Sequence, residues 1–454
     1  MTETDPADLG VTEAVALLRD GSLSSLELVE ACLRRIAERD GTHSHDGDPA
    51  SINAWVRVYE GDAIEAAKAA DGLRGDDRPP LCGVPLGLKD LYAVAGKPVT
   101  ASSRVLDEVA ERDSDVWARL KEAGMVLLGH LHTHEFAVGG TTDQVGNPWA
   151  LDRTAGGSSG GSAAALAAHM TPAATGTDTA GSLRIPSAMC GTSTIKPTFG
   201  TTSLRGVVPL APSFDCAGPM ARTLEDCGPL LAAITGSDRE PRSASLNGVR
   251  LAISPRLPLA DLDPDVADGF DRAMEASRAL GAELVDAPPP VAELDVGEDF
   301  LRILYAELAA WHGRFADRRD RYRPALREWV EQGEERDDSA VDLAAAHHRR
   351  AESTAAWSDW LAENRIAAVI EPTVPVVAWK RGDGYERAGS DAELISLTHY
   401  WDWTGFPAAA LPAGVGSRSG LPVGVSLIGA SLSDWELLGF GIALQSELRV
   451  PEAP

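Results

Sequence analysis

Gly156-Gly157-Ser158-Ser159-Gly160-Gly161-Ser162, followed by Gly176-Thr177-Asp178-Thr179-Ala180-Gly181-Ser182-Leu183-Arg184-Ile185-Pro186, is the stretch that decides how this chain is read. It sets two serines, Ser158 and Ser182, each in a Gly-rich turn. Upstream, Gly83-Val84-Pro85-Leu86-Gly87-Leu88-Lys89-Asp90 places a lysine in an otherwise apolar run. A serine hydroxyl is a weak nucleophile near neutral pH and needs a base. A lysine can be that base only if it is neutral, and an amine with a pKa of about 10.4 stays neutral only when desolvated. Lys89, beside Leu86, Gly87 and Leu88, meets that need. A second hydroxyl, both donor and acceptor, can pass a proton between nucleophile and amine. The run Thr179-Ala180-Gly181-Ser182 offers consecutive backbone N–H groups leading into a helix, a nest suited to an oxyanion.

Outward from these turns, strand, helix and Gly-rich turn alternate, the pattern of an α/β protein. Ser24-x-x-Glu27 is a capping box, and Leu26, Val29, Leu33 and Ile36 continue it at helical spacing. Helices are expected over 62–70, 115–123 (with Gly124 just past its end), 162–170 and 182–190, and one opening at Thr223-x-x-Asp226. Strands are expected over 83–89, 125–128, 171–177, 249–253, 366–370, 408–411 and 423–428. From 255 to 365 the chain is charged, helical in pattern and carries Trp311, Trp329, Trp357 and Trp360. It reads as a helical embellishment within a single domain spanning 1–454.

The chain has 454 residues, enough for a large core. Lys and Arg total 41 against 68 Asp and Glu, a formal charge of −27. That balance repels nucleic-acid phosphates and anionic membrane surfaces, so neither is an expected partner. Cys32, Cys82, Cys190, Cys216 and Cys227 form no C-x-x-C pair and read as reduced, buried thiols. The acidic start, Met1-Thr2-Glu3-Thr4-Asp5-Pro6, shows no apolar leader, and no apolar run reaches membrane-span length. The expectation is a cytoplasmic enzyme.

Taken together, 83–90, 156–162, 176–186, Cys190-Gly191, Lys196-Pro197-Thr198, Asp215 and Gly218-Pro219-Met220-Ala221-Arg222-Thr223 closely resemble the amidase signature family. Thr404-Gly405 and Pro422-Val423-Gly424-Val425 extend the likeness across nearly the whole chain. Several ordered motifs are far more specific than one Gly-rich run. The resemblance implies an α/β amidase signature fold, a central mixed β-sheet covered by helices on both faces. It places a Ser–cis-Ser–Lys triad on Ser182, Ser158 and Lys89, with the Gly157–Ser158 peptide cis. The oxyanion donors fall on the N–H groups of Thr179, Ala180, Gly181 and Ser182. The implied activity is hydrolysis of the C–N bond of a carboxamide (aliphatic or aryl amide, anilide, hydrazide or carbamate) through an acyl-serine, without metal or cofactor. The expected partner is that small molecule, and the expected assembly a monomer or homodimer. The alternative is the A subunit of a tRNA-dependent amidotransferase. Ala180 stands where the family commonly has Gly, His130 and His132 where Lys and Asn are common, and Asp402 where Asn is common.

Other motifs compete. Gly156-Gly157-Ser158-Ser159-Gly160 fits G-x-S-x-G, but a nucleophile elbow needs a strand just before it, and Leu151–Ala155 reads as a poor one. Ser193-Thr194-Ile195-Lys196 fits S-x-x-K, yet Pro197 opposes a helix there, so a buried strand is expected. His130, His132 and His134 alternate, on one face if extended, but no further ligand set with zinc spacing accompanies them. They read as pocket or loop histidines, and His347-His348 as solvated. Arg184 is expected to pair with Asp178 and fix the Ser182 turn. Phe136, Trp149, Tyr400 and Trp403 are candidate pocket aromatics.

Overall fold

Eleven strands form one mixed sheet in the computed structural model, which describes residues 5–73, 75, 78–291, 295–386, 388–389, 392–448, 450 and 453. The start of the chain read above for a leader, Met1 to Thr4, lies outside the described residues. In chain order the strands are β1 (Trp55–Val58), β2 (Pro85–Lys89), β3 (Val126–Leu131), β4 (Ala173–Asp178), β5 (Ser193–Lys196), β6 (Cys216–Ala221), β7 (Arg250–Ile253), β8 (Glu283–Val285), β9 (Ala368–Pro372), β10 (Ala408–Val415) and β11 (Pro422–Ile428). Their order across the sheet is β1-β3-β2-β4-β6-β5-β10-β11-β9-β7-β8. β3, β2 and β4 run parallel at one end and β9, β7 and β8 at the other. Antiparallel pairs from β4 to β9 join the two. The central strands β2, β4, β5, β6, β9 and β11 are buried along their whole length, as strands covered on both faces must be.

Local signals are realised where side chains could supply missing partners. Ser24 and Glu27 close both halves of the capping box of helix Ser25–Arg39, with N···O distances of 3.1 and 2.8 Å. Thr223 accepts from the Asp226 N–H at 3.1 Å and opens helix Leu224–Thr235. Helix Gly160–Ala167 follows the first Gly-rich turn and helix Arg184–Cys190 the second. Both are wholly buried, and the Gly/Ala content of the first lets its backbone approach β2 and β4.

The segment 255–365 divides differently from the sequence expectation. Helix Pro264–Ala279 packs on β9, β10 and β11, and β8 is the edge strand of the sheet, so this part belongs to the main layer. The cover proper is formed by helices Gly297–His312, Pro324–Glu335 and Ala340–Glu363. Their apolar faces bury Phe300, Leu308, Leu326, Trp357 and Trp360 in a second core cluster, against which Ala180 of the Ser182 turn also packs. All five cysteines are unpaired and buried. Among the described residues no helix is long and apolar enough to cross a membrane.

Candidate active site

Lys89 ends β2, between two parallel neighbours, and is fully buried. Asp178 ends the adjacent β4, so the turn carrying Ser182 leaves the sheet beside the lysine. The other serine arrives from outside the sheet. Residues Ala150–Thr154 do form a strand, contrary to the sequence reading of this stretch as a poor one. Cross-strand bonding to Gly146–Asn147 overrides its weak pattern, yet it lies in a separate two-stranded ribbon. Ala155, Gly156 and Gly157 then intervene before Ser158, so no sheet strand feeds a nucleophile elbow. The Gly157–Ser158 peptide is cis. A Cβ on Gly157 would lie 2.0 Å from the Thr141 carbonyl oxygen, so only glycine fits. The Ser158 carbonyl accepts from the His134 N–H at 3.0 Å and from the Thr142 hydroxyl at 3.2 Å. The Ser159 N–H donates to the Ser182 carbonyl at 3.3 Å, tying the two serine turns together.

Three hydroxyls surround the Lys89 amine: Ser158 Oγ at 2.8 Å, Ser159 Oγ at 2.9 Å and Thr177 Oγ1 at 2.9 Å. The Ser159 hydroxyl is directed to the Thr177 carbonyl at 3.4 Å, so its oxygen accepts from the amine. A neutral amine has two N–H groups and one lone pair. The Ser158 hydroxyl is therefore free to donate to that lone pair, the arrangement a base needs. Burial lowers the Lys89 pKa to about 7, against the opposing charges of Asp178 and Asp215.

The Ser182 turn is fixed from behind. Asp178 accepts from the N–H groups of Gly181 at 2.6 Å and Leu183 at 3.1 Å, on either side of the serine. This corrects one expected oxyanion donor: the Gly181 N–H is committed to Asp178. Among the described residues the N–H groups of Thr179, Ala180 and Ser182 have no protein acceptor. Arg184 grips Asp178 through Nε and Nη2, both at 3.0 Å, as its sequence position suggested. Its Nη2 also reaches Asp402 at 2.6 Å, and its Nη1 the Thr398 carbonyl at 3.1 Å. Burial works against the Asp178 charge, but the guanidinium outweighs it and holds that carboxyl at about 2. Burial and the neighbouring Asp178 push Asp402 up to about 8.

A buried amine, two serine turns locked to each other and a strip of unclaimed N–H groups make up the centre of this chain, and the known proteins it matches agree on its family. Residues 27–438 match the family described as Amidase. This chain belongs to the amidase family. A curated relative, the A subunit of glutamyl-tRNA(Gln) amidotransferase from Roseiflexus castenholzii, is 34% identical, with 98% of this chain and 97% of the relative covered. Among solved structures, one described as an amidase is 30% identical with a TM-score of 0.85, covering 96% of this chain and 99% of the other. A 6-aminohexanoate cyclic dimer hydrolase complexed with substrate is 27% identical with a TM-score of 0.83, covering 98% of each chain. The family places this chain among enzymes acting on C–N amide bonds.

Around that amidase centre, three of the four aromatic residues expected to line a pocket, Phe136, Tyr400 and Trp403, lie in the core cluster against which Ala180 packs. Phe136 is buried among His312, Phe315 and Tyr322. Tyr400 accepts from Trp357 Nε1 at 2.7 Å, and the Arg256 guanidinium lies over its ring. Trp403 packs near Phe214, and Trp149 Nε1 donates to the Cys190 carbonyl at 3.0 Å. Among the described residues no hydrogen bond joins these rings to Lys89, Ser158 or Ser182. Large rings in a well-packed interior satisfy one another first. His130, His132 and His134 are buried, and among the described residues no group of three or more His, Cys, Asp or Glu could hold a metal ion. His130 bonds Tyr59 and the Tyr92 carbonyl through its two ring nitrogens, and His134 Nδ1 bonds the Thr141 carbonyl. Sequence reasoning missed Ser159 and Thr177 as partners of Lys89, and Thr398 behind the Ser182 turn. The signal for Thr177 was present: Thr175 and Thr177 alternate along β4, and both face Lys89, the first accepting its backbone N–H at 3.3 Å.

Proposed function

We propose that the chain is an amidohydrolase that cleaves a carboxamide through an acyl-Ser182 intermediate. The observation that carries this reading is the 2.8 Å contact between the desolvated Lys89 amine and Ser158 Oγ. In this scheme the Ser182 hydroxyl attacks the carbonyl carbon, and its proton passes through Ser158 to Lys89. The N–H groups of Thr179, Ala180 and Ser182 receive the oxyanion. Collapse breaks the C–N bond, and the proton returns through Ser158 to the departing nitrogen. Water then attacks the acyl ester by the same relay, releasing the acid and restoring Ser182. Aryl and aliphatic amides, anilides, hydrazides and carbamates share this chemistry, as do activated esters. The test is mass spectrometry of the purified chain after a rapid quench with an activated ester. Wild type gains one acyl group on Ser182 and S182A gains none; an acylated S182A refutes the nucleophile assignment.

A second reading is favoured by the curated relatives, which carry the name of one component of an amidotransferase. In it the same acyl transfer releases ammonia from glutamine for use elsewhere in an assembly, and the expected monomer or homodimer gives way to a complex with other chains. Co-purification with gel filtration and a glutaminase assay separates the two. Turnover of simple amides by the isolated chain supports the free-standing enzyme; glutaminase activity that appears only with co-purified chains supports the amidotransferase component.

A further inference from the structure

Asp215 is buried and lies one residue before β6, whose first residue, Cys216, stands opposite Asp178 in the β4–β6 register. That register carries Asp215 to Thr179, the first residue of the oxyanion strip. Its Oδ1 accepts from Thr179 Oγ1 at 2.5 Å and from the Ala211 N–H at 3.2 Å, and its Oδ2 accepts from the Leu210 N–H at 3.0 Å. We infer that Asp215 is a positioning residue of the acyl-transfer site: from the start of the strand beside β4 it holds Thr179, the first residue of the oxyanion strip, through its hydroxyl. The inference rests on the acyl-serine reading above.

The two acids near Lys89 differ in how they are paired. Asp178 is gripped by Arg184 through two nitrogens. Among the described residues no lysine or arginine forms an ion pair with Asp215, and of the two acids Asp178 raises the Lys89 amine more. The other ionisable groups facing Asp215 are Tyr92, Cys216 and Glu307, none of them cationic. Around Lys89 stand Asp178, Asp215 and the imidazole of His134, which burial lowers to about 3 and so leaves neutral. Burial pushes the Asp215 carboxyl upward in pKa, and the three donors resist this. Both oxygens accept backbone N–H groups, which favours the ionised form. An ionised carboxylate there raises the Lys89 amine, as Asp178 does more strongly, and helps keep it basic enough to take the Ser182 proton.

The experiment is the pH dependence of kcat/KM for a 4-nitroanilide or 4-nitrophenyl ester, with the full chain and its variants. D215N removes the charge, and its acid limb is expected about one pH unit lower than wild type. D215S serves in its place if D215N does not fold, with the same shift expected. D215E keeps the charge but moves the oxygens: its limb stays near wild type while kcat falls. T179V removes only the hydroxyl, and is expected to lose at least about tenfold in kcat with KM and limb little changed. A neutral variant whose limb does not move, or moves to higher pH, overturns the electrostatic role. A T179V with wild-type kcat overturns the positioning role. A wild-type chain that forms no acyl-enzyme overturns the underlying reading and this one with it; acylation with an unmoved limb overturns this one alone.

Discussion

Replacing Lys89 by methionine separates the charge of this residue from its volume. Burial brings the amine down to about 7 in the folded chain, whereas the unfolded chain leaves it near 10.4. Between those values the unfolded state holds a proton that the folded state does not, so Lys89 makes stability rise with pH. Below pH 7 both states are protonated and the full penalty, about 5 kcal/mol, is present. From pH 6 to pH 9 the wild type therefore recovers about 2–3 kcal/mol at this one site. K89M has no such term. It does leave Ser158, Ser159 and Thr177 without their shared partner, but that cost does not vary with pH in this range. Asp402, raised to about 8, acts in the opposite direction, losing stability as pH rises toward that value. It is present in both proteins and cancels in their difference. Urea unfolding of wild type and K89M at pH 6 and pH 9 is the assay. The stability of K89M relative to wild type should be greater at pH 6 by about 2–3 kcal/mol, and K89M should form no acyl-enzyme. A difference that is the same at both pH values would show that the folded amine keeps its proton throughout, and the base assignment would fall.

Two further outcomes follow from the same geometry. S158A keeps Lys89 bonded to Ser159 and Thr177, so its thermal midpoint should stay near wild type while kcat falls about a thousandfold, within the range of lost proton transfer; a fall of less than tenfold argues against the relay. Gly181 has φ of 126°, and a Cβ there would sit 2.3 Å from Thr398 Oγ1. G181A should therefore lose at least about 2 kcal/mol of stability by chemical unfolding and most of its activity; a variant as stable as wild type would mean the turn can relax away from Thr398.

Much of this arrangement can be read from sequence because the deciding interactions are local. Ser24 and Glu27 lie three residues apart and cap one helix between themselves. Positions 156, 157, 160, 161 and 181 are glycines because neighbouring atoms approach too closely for a side chain, which leaves a visible trace in composition. Asp178 and Arg184 are six residues apart and meet across one turn. The division of 255–365 is not local. Nothing in Glu283–Val285 alone, exposed or half-buried at a sheet edge, distinguishes a strand of the main layer from a link between cover helices. Pairing with β7 decides it, and β7 lies some thirty residues earlier.

The same distinction explains which site residues escaped. An aromatic in a sequence advertises its size, not its neighbours: Tyr400 is occupied by Trp357 and Arg256, which arrive from the cover and from the segment after β7. The Gly181 N–H was read as an oxyanion donor because it stands in the right run, yet the carboxylate three residues before it takes that hydrogen. The basicity of the Lys89 amine is the least local property of all. It is set by the burial of β2 between two strands, by Asp178 with its Arg184 partner, and by Asp215 from the start of β6, across β4. Sequence can name the lysine; only the fold sets these opposing contributions against one another, and their balance brings the amine to where it can exchange a proton near neutral pH.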